Sequence, residues 1–159
     1  MRSLIHPVFE KLAAFVETFS GSAEELLGEL LSRHYAQVVR NEKARAILRL
    51  LIAESGKFPQ LSDIFHREII HPGVTALRQV LEKGAASGEF RKTKARDFPQ
   101  ILIAPGVLAI LWVLILGERH QLDLDAYQSA HQEFVLHGLR MPRSEGHRVK
   151  ELRSRGEHS

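Results

Sequence analysis

The chain has 159 residues, of which 44% are hydrophobic and 26% are charged. This balance is typical of one soluble globular domain and excludes a disordered chain. The sequence contains no cysteine, which excludes a disulfide scaffold, a thiol nucleophile, a zinc ribbon and a thiolate-held iron–sulfur cluster. The net charge of +3 lies in residues 140–159, because residues 1–139 carry equal numbers of acidic and basic side chains. Residues 1–139, which carry no net charge, are therefore poorly suited to bind nucleic acid by themselves.

Apolar residues at three- and four-residue spacing predict two helices in the first forty positions. The stripe of the first helix is Ile5, Val8, Phe9, Leu12, Phe15, Val16 and Phe19. Ser22 and Glu25 have the spacing of a capping box and predict the start of the second helix. The stripe of the second helix is Leu26, Leu27, Leu30, Leu31, His34 and Val38.

The middle of the chain predicts a short helix and a long one. The short third helix covers about residues 44–54. Pro59 starts the fourth helix, at a first-turn position where its missing N–H is harmless. Pro72 follows His71 and precedes Gly73, and we expect it to kink this helix or split it in two. Gly88 is the expected end of the fourth helix.

The rest of the chain continues the helical pattern. A polar and basic connection over residues 89–96 precedes an apolar helix that Pro99 starts and Pro105 is expected to kink. Asp123 or Asp125 is expected to cap a last helix. One face of this last helix carries Leu124, Tyr127, His131, Phe134 and Gly138. No segment alternates with period two, so the sequence predicts an all-α fold, a bundle of about six helices with two proline-kinked long helices.

The apolar segment over residues 98–117 also allows a membrane hypothesis. It is uncharged over twenty residues, and at ~1.5 Å per residue this length crosses a bilayer core of ~30 Å. However, Pro105-Gly106 interrupts its apolar run, its flanks show no charge asymmetry, and Trp112 lies inside it. We therefore interpret it as a helix buried among other helices, with a single-pass membrane protein as the alternative.

Signals for an enzyme are absent from the sequence. It has no phosphate-binding Gly-rich loop, no nucleophile elbow and no HExxH motif. Among its nine histidines no two are three or four residues apart, so no helix presents a His pair on one face. Glu68 and His71 form one ExxH motif, but a di-iron bundle needs two. We predict no catalytic residue, no metal site and no cofactor.

Two proline-kinked helices packed together leave space that straight helices fill. Such a space is lined by Phe65, His66, Ile69, Leu108, Leu111 and Trp112. Mostly apolar walls with one or two polar groups are typical of small-molecule pockets. The alternative is ordinary core packing.

The order of the motifs is informative as well. Residues 46–54, AILRLLIAE, precede the pattern Phe58-Pro59-x-Leu61-x-x-Ile64-Phe65. A long helix then ends in Gly88-Glu89-Phe90-Arg91, and a basic loop leads into the apolar helix. This order resembles the C-terminal domain of TetR-family transcriptional regulators, and the resemblance covers residues 1 to about 139.

The resemblance implies a homodimer in which two helices, about 98–117 and 124–139, pair with their symmetry mates as a four-helix bundle. The implied interface residues are Ile110, Leu114, Leu124, Tyr127, His131, Phe134 and Gly138. It also implies a pocket for an unknown small apolar or amphipathic effector, between the kinked helices and the second helix. The implied pocket residues are Leu31, His34, Tyr35, Phe65, His66, Ile69, Leu108, Leu111 and Trp112.

The function that follows is effector sensing and dimerisation in a bacterial, cytoplasmic transcriptional regulator, expected to be a repressor. Residues 1–139 are the ligand-binding and dimerisation domain, and residues 140–159 are expected to be a disordered basic tail. By the same resemblance, DNA binding is expected only through an N-terminal helix-turn-helix domain that we do not find in this sequence, which is the expectation for a fragment or a mis-assigned start. Pro72 and Pro105 are candidate hinges. The alternative is a stand-alone dimeric helical protein that binds small molecules or titrates a partner regulator without binding DNA.

Overall fold

The computed structural model describes residues 11–142 of the chain. The start of the first predicted helix and residues 143–159 of the predicted tail lie outside the described residues. Residues 11–18 are helical and are called α1. Every regular element in the described part is helical, apart from one antiparallel bridge between Phe90 and Arg140. The predicted all-α fold is confirmed.

The remaining elements follow the predicted order with two π-helical turns added. The first half contains α2 (Ala23–His34), a π-helical turn (Tyr35–Val39), α3 (Glu42–Glu54), α4 (Pro59–Phe65) and a second π-helical turn (His66–Ile70). The second half contains α5 (His71–Ser87), 3₁₀ turns at Lys94–Arg96 and Pro99–Leu102, α6 (Ala104–Leu116), a 3₁₀ turn at Gly117–Arg119 and α7 (Leu124–Leu139).

Side-chain caps fix the beginnings of three helices. Ser22 and Glu25 form the predicted capping box, in which each side chain accepts a hydrogen bond from the backbone N–H of the other residue. Asn41 caps α3 by accepting hydrogen bonds from the backbone N–H groups of Lys43 and Ala44. Asp123, rather than Asp125, caps α7 by accepting hydrogen bonds from two backbone N–H groups of its first turn.

The two internal prolines act differently. Pro72 lies in the first turn of α5, directly after the π-helical turn that joins α4 to α5, and Gly88 ends this long helix in the left-handed conformation at φ 80°. The structure differs from the prediction at the second proline. Residues 99–102 form a 3₁₀ turn and α6 begins only at Ala104, so Pro105 is a first-turn residue and not a kink. In the described part, no helix is both long and apolar enough to cross a bilayer.

The buried residues form two apolar clusters. The larger cluster joins α1, α2, α5 and α7 and includes Val16, Leu26, Leu27, Leu31, Leu77, Val80, Leu81, Phe90, Val135 and Leu139. The smaller cluster contains Tyr35, Val39, Ala109 and Ile110, with Leu114, Leu124 and Tyr127 among the half-buried residues packed against it. The smaller cluster is therefore the contact between the end of α2 and the pair formed by α6 and α7.

The connection after α5 is tied to the end of α7. Arg91 N–H donates to the Leu139 carbonyl at 2.9 Å, and Met141 N–H donates to the Glu89 carbonyl at 3.2 Å. The Arg140 guanidinium also pairs with the Glu24 carboxylate at the start of α2 and lowers the pKa of that carboxyl. The predicted polar connection is thus the place where α2, α5 and α7 meet.

Gly84 and Gly28 give a matched test of this packing. An added Cβ at Gly84 would lie 2.0 Å from the buried Phe90 ring, whereas the same atom at Gly28 meets nothing within 4 Å. We expect Gly84→Ala to destabilise the protein by about 1–3 kcal/mol through overpacking. Gly28→Ala should stabilise it by about 0.5–1 kcal/mol because alanine is the better helix former. Urea unfolding measures both changes, and a stabilised Gly84→Ala variant would contradict the packing described.

Candidate functional site

A buried hydrogen-bond relay connects α2, α7 and the turn before α6. The Tyr35 hydroxyl lies 3.0 Å from His131 Nδ1, and His131 Nε2 lies 2.7 Å from the Leu102 carbonyl oxygen. Because a carbonyl oxygen only accepts, Nε2 carries the proton and Nδ1 accepts from the Tyr35 hydroxyl. The relay therefore has one defined proton arrangement and no net charge.

Burial keeps the members of this relay uncharged. Burial, with a smaller contribution from Tyr127, raises the pKa of Tyr35 to about 12, although Arg40 opposes the shift. Burial also lowers the pKa of His131, against the opposing effect of its hydrogen bond to the Leu102 carbonyl. Both groups stay neutral at physiological pH, so the relay orients helices without placing a charge in the core.

His34, the neighbour of Tyr35, faces α6 instead of α7. Its Nε2 atom is buried and has no hydrogen-bond partner among the described residues. An ideal Cβ at position 106 would lie only 2.6 Å from this atom, so the imidazole packs against the backbone of Gly106. Burial, assisted by His131, lowers the pKa of His34 to about 4. Leaving such a nitrogen unpaired costs about 1–3 kcal/mol, which makes it the most conspicuous polar atom of the core.

A polar seam holds α2 against α7 beside the relay. Gln132 donates to the Ser32 hydroxyl at 2.9 Å and to the Gly28 carbonyl at 3.2 Å. Arg40, after the first π-helical turn, donates to Gln128 at 2.7 Å and to the Asp125 carboxylate at 2.6 Å. The α2–α7 contact is therefore fixed by directed hydrogen bonds as well as by packing.

The residues predicted to bind an effector fall into separate groups. Leu31 is buried in the larger cluster, and Tyr35 in the smaller one. His34 contacts Gly106 of α6. The group on the other long helix contains Phe65, His66 and Ile69, of which His66 is exposed and the others are half-buried outside both clusters.

The predicted effector residues of α6 lie on its outer side. Leu108 is 53% exposed and Leu111 is half-buried. Trp112 is 36% exposed, and its indole N–H donates to the His120 carbonyl at 2.6 Å. The structure thus brings the end of α2 into contact with α6 at His34. Phe65, His66 and Ile69, called the Phe65 group, lie in a different neighbourhood.

The residues predicted for a dimer interface divide into an inner and an outer set. The inner set is Ile110, Leu114, Leu124, Tyr127 and His131, which pack or hydrogen-bond within the protomer. The outer set is Phe134, which is 78% exposed, and Gly138. Ala130, Glu133 and His137 are exposed on the same side of α7.

Sequence reasoning missed the polar seam and the relay partners. Gln128 and Gln132 are four residues apart, which is the spacing of one helical face and could have indicated a polar stripe on α7. Their partner Ser32 is distant in sequence by 96 and 100 residues. No local pattern identifies pairs at such separation.

The comparison with known families agrees with this architecture. The family described as "Tetracyclin repressor-like, C-terminal domain" matches residues 12–122, which is more than half of the chain. The chain therefore belongs to the tetracyclin repressor-like C-terminal domain family. It has no significant match among curated proteins or solved structures.

Removing the Tyr35 hydroxyl tests the relay. Tyr35→Phe leaves Nδ1 of the buried His131 without a donor, and we expect a loss of about 1–3 kcal/mol in the free energy of unfolding. Tyr127→Phe is the matched control, since its hydroxyl donates to the partly buried Pro105 carbonyl at 3.0 Å and its loss should cost about 0.5–1.5 kcal/mol. Equal stability of Tyr35→Phe and the wild type in urea unfolding would refute the relay.

The pKa of His34 predicts how stability depends on pH. In the unfolded chain His34 takes up a proton near pH 6.5, whereas in the folded protein its pKa is about 4. The unfolded state therefore binds more protons between these values, so stability is complete above pH 6.5 and falls as the pH drops toward 4. Urea midpoints at pH 7.5, 6 and 5 should decline less in His34→Gln than in the wild type. Parallel declines would mean that His34 is not responsible.

Proposed function

We propose that this chain is the effector-sensing and dimerisation domain of a bacterial, cytoplasmic transcriptional regulator that acts as a homodimer. Membership of the tetracyclin repressor-like family supports this proposal. The observation that carries it is the set of exposed apolar side chains on α6 and α7. Its exposed members are Val107, Leu108, Ile115 and Phe134.

Two of these side chains are unusually exposed for large apolar residues. Ile115 and Phe134 are 75% and 78% exposed, and exposed apolar surface of this kind marks contact with another protein surface. α6 and α7 pack against each other and follow one another in the chain. Two such helix pairs meeting at a twofold axis give a four-helix bundle with identical patches in contact.

The inner set of predicted interface residues has a supporting role in this proposal. Ile110, Leu114 and Leu124 belong to or pack against the smaller cluster that joins α6 to α7. Tyr127 hydrogen-bonds to the Pro105 carbonyl in the first turn of α6, and His131 to the Leu102 carbonyl in the turn before it. These residues orient the two helices, and Phe134 and Gly138 make the contact between protomers.

The proposed effector is a small apolar or amphipathic molecule that binds beside α6. The residues we propose for it are Leu31, His34 and Tyr35 at the end of α2, with Leu111 and Trp112 on α6. The Phe65 group lies in a different neighbourhood, and we assign Leu108 to the contact between protomers. Binding that favours one placement of α6 against α2 shifts the relative orientation of the protomers. In a regulator with a DNA-binding domain, such a shift changes DNA affinity by a coupling energy of about 1–3 kcal/mol. A regulator that its effector releases from DNA acts as a repressor.

Oligomeric state tests the proposal. We expect the wild type to sediment as a dimer at micromolar concentration and Phe134→Glu to sediment as a monomer, because the substitution buries an unpaired charge in the proposed contact. Phe58→Glu is the matched control, since Phe58 is 53% exposed at the start of α4, away from the proposed face. A monomeric wild type, or a Phe134→Glu variant that still dimerises equally, would contradict the proposal.

A further inference from the structure

The side chain of His34 places a polar nitrogen at the contact between α2 and α6, where it makes no hydrogen bond with the described residues. Its Nε2 atom is buried, unpartnered within the described residues and directed at the backbone of Gly106. The neighbouring polar groups are already committed, since Tyr35 donates to His131 and His131 donates to the Leu102 carbonyl. Among the buried side-chain atoms of the described residues, a ligand that enters the α2–α6 contact finds His34 Nε2 without a hydrogen-bond partner.

The charges of the side chains near the α2–α6 contact determine whether a charged or an uncharged ligand is favoured there. The imidazole of His34 remains neutral at physiological pH because of its burial. The nearby guanidinium of Arg40 is engaged by Asp125 and Gln128. A carboxylate or an ammonium group in this contact would thus meet no charged side chain that is free to pair with it, which favours an uncharged ligand.

We propose that His34 Nε2 is the anchor of the effector site and that the effector is an uncharged, mainly apolar molecule with a hydroxyl group. A hydroxyl both donates and accepts, so it pairs with either neutral tautomer of the imidazole. This inference rests on the proposed sensing function and specifies the ligand class for it.

The start of α6 is the part that must yield to the ligand. A hydroxyl oxygen about 3 Å from Nε2 needs the space that the Gly106 backbone now fills. No side chain caps α6, and its first turn is held to α7 by Tyr127, which donates to the Pro105 carbonyl at 3.0 Å. His131 holds the preceding turn through the Leu102 carbonyl. Displacement of α6 therefore acts directly on α7, the helix that carries Phe134.

Three probes that differ in one substituent test the proposal at pH 7.5: 4-ethylphenol, 4-ethyltoluene and 4-ethylbenzoate. NMR titration of protein with isotope-labelled histidine rings follows the His34 signal and gives each dissociation constant. We expect 4-ethylphenol to shift this signal saturably and to bind about tenfold more tightly than either of the other probes.

Variants at position 34 separate anchoring from packing, with binding followed by ligand-observed NMR. His34→Leu should weaken binding of 4-ethylphenol about tenfold and leave binding of 4-ethyltoluene unchanged. His34→Gln, which keeps a polar group near the position of Nε2, should retain most of the preference for the phenol. His66→Leu, at an exposed histidine, is the control and should change neither affinity.

Several results would overturn the proposal. These are a phenol affinity that is unchanged in both His34→Leu and His34→Gln, tightest binding of 4-ethylbenzoate, or no response of the His34 ring to any probe. The sedimentation test is independent of the probes. A monomeric wild type whose His34 ring still responds to 4-ethylphenol would refute the dimeric regulator and leave the anchor in place.

Discussion

The hydrogen bond between the Tyr35 hydroxyl and His131 Nδ1 is the interaction on which this domain depends. It joins α2 to α7, and the second nitrogen of the same imidazole holds the Leu102 carbonyl just before α6. One side chain thereby sets the mutual distance of three elements. Because the group is buried, its strength comes from low dielectric surroundings, and the same surroundings require it to stay neutral. Altered charge at His131 would disturb all three elements together.

The contact between α2 and α7 and the contact between the end of α2 and α6 are made by different kinds of interaction. α2 and α7 meet through Ser32, Gln132 and the Arg40 guanidinium, whose hydrogen bonds are directional and fix one register. α6 meets the end of α2 through apolar packing and the unpartnered His34 Nε2. Apolar packing tolerates small displacements better than a network of directed bonds. The α2–α7 contact therefore depends on directed hydrogen bonds, whereas the contact between the end of α2 and α6 depends on packing.

Local features were predictable from the sequence and distant pairings were not. The capping box of Ser22 and Glu25 and the left-handed Gly88 depend on a few neighbouring residues, so the sequence predicts them directly. The start of α6 was misplaced because both Pro99 and Pro105 are acceptable first-turn residues, and only the packed structure distinguishes a 3₁₀ turn from a helix. Periodicity placed His131 and Phe134 on one face of α7. Packing by α2 buries the first and leaves the second exposed.

Two consecutive side chains at the end of α2 contact two different helices, and the π-helical turn that follows them positions the next residues. In a regular helix neighbouring residues are about 100° apart, which directs His34 toward α6 and Tyr35 toward α7. The π-helical turn, closed by Arg40 N–H and the Tyr35 carbonyl at 2.9 Å, adds one residue to the turn. The added residue buries Val39 completely, whereas Val38, which continues the apolar stripe of α2, stays half-buried. It also carries Arg40 to α7, where the guanidinium closes the polar seam, so this part of the seam depends on the local departure from the α-helix.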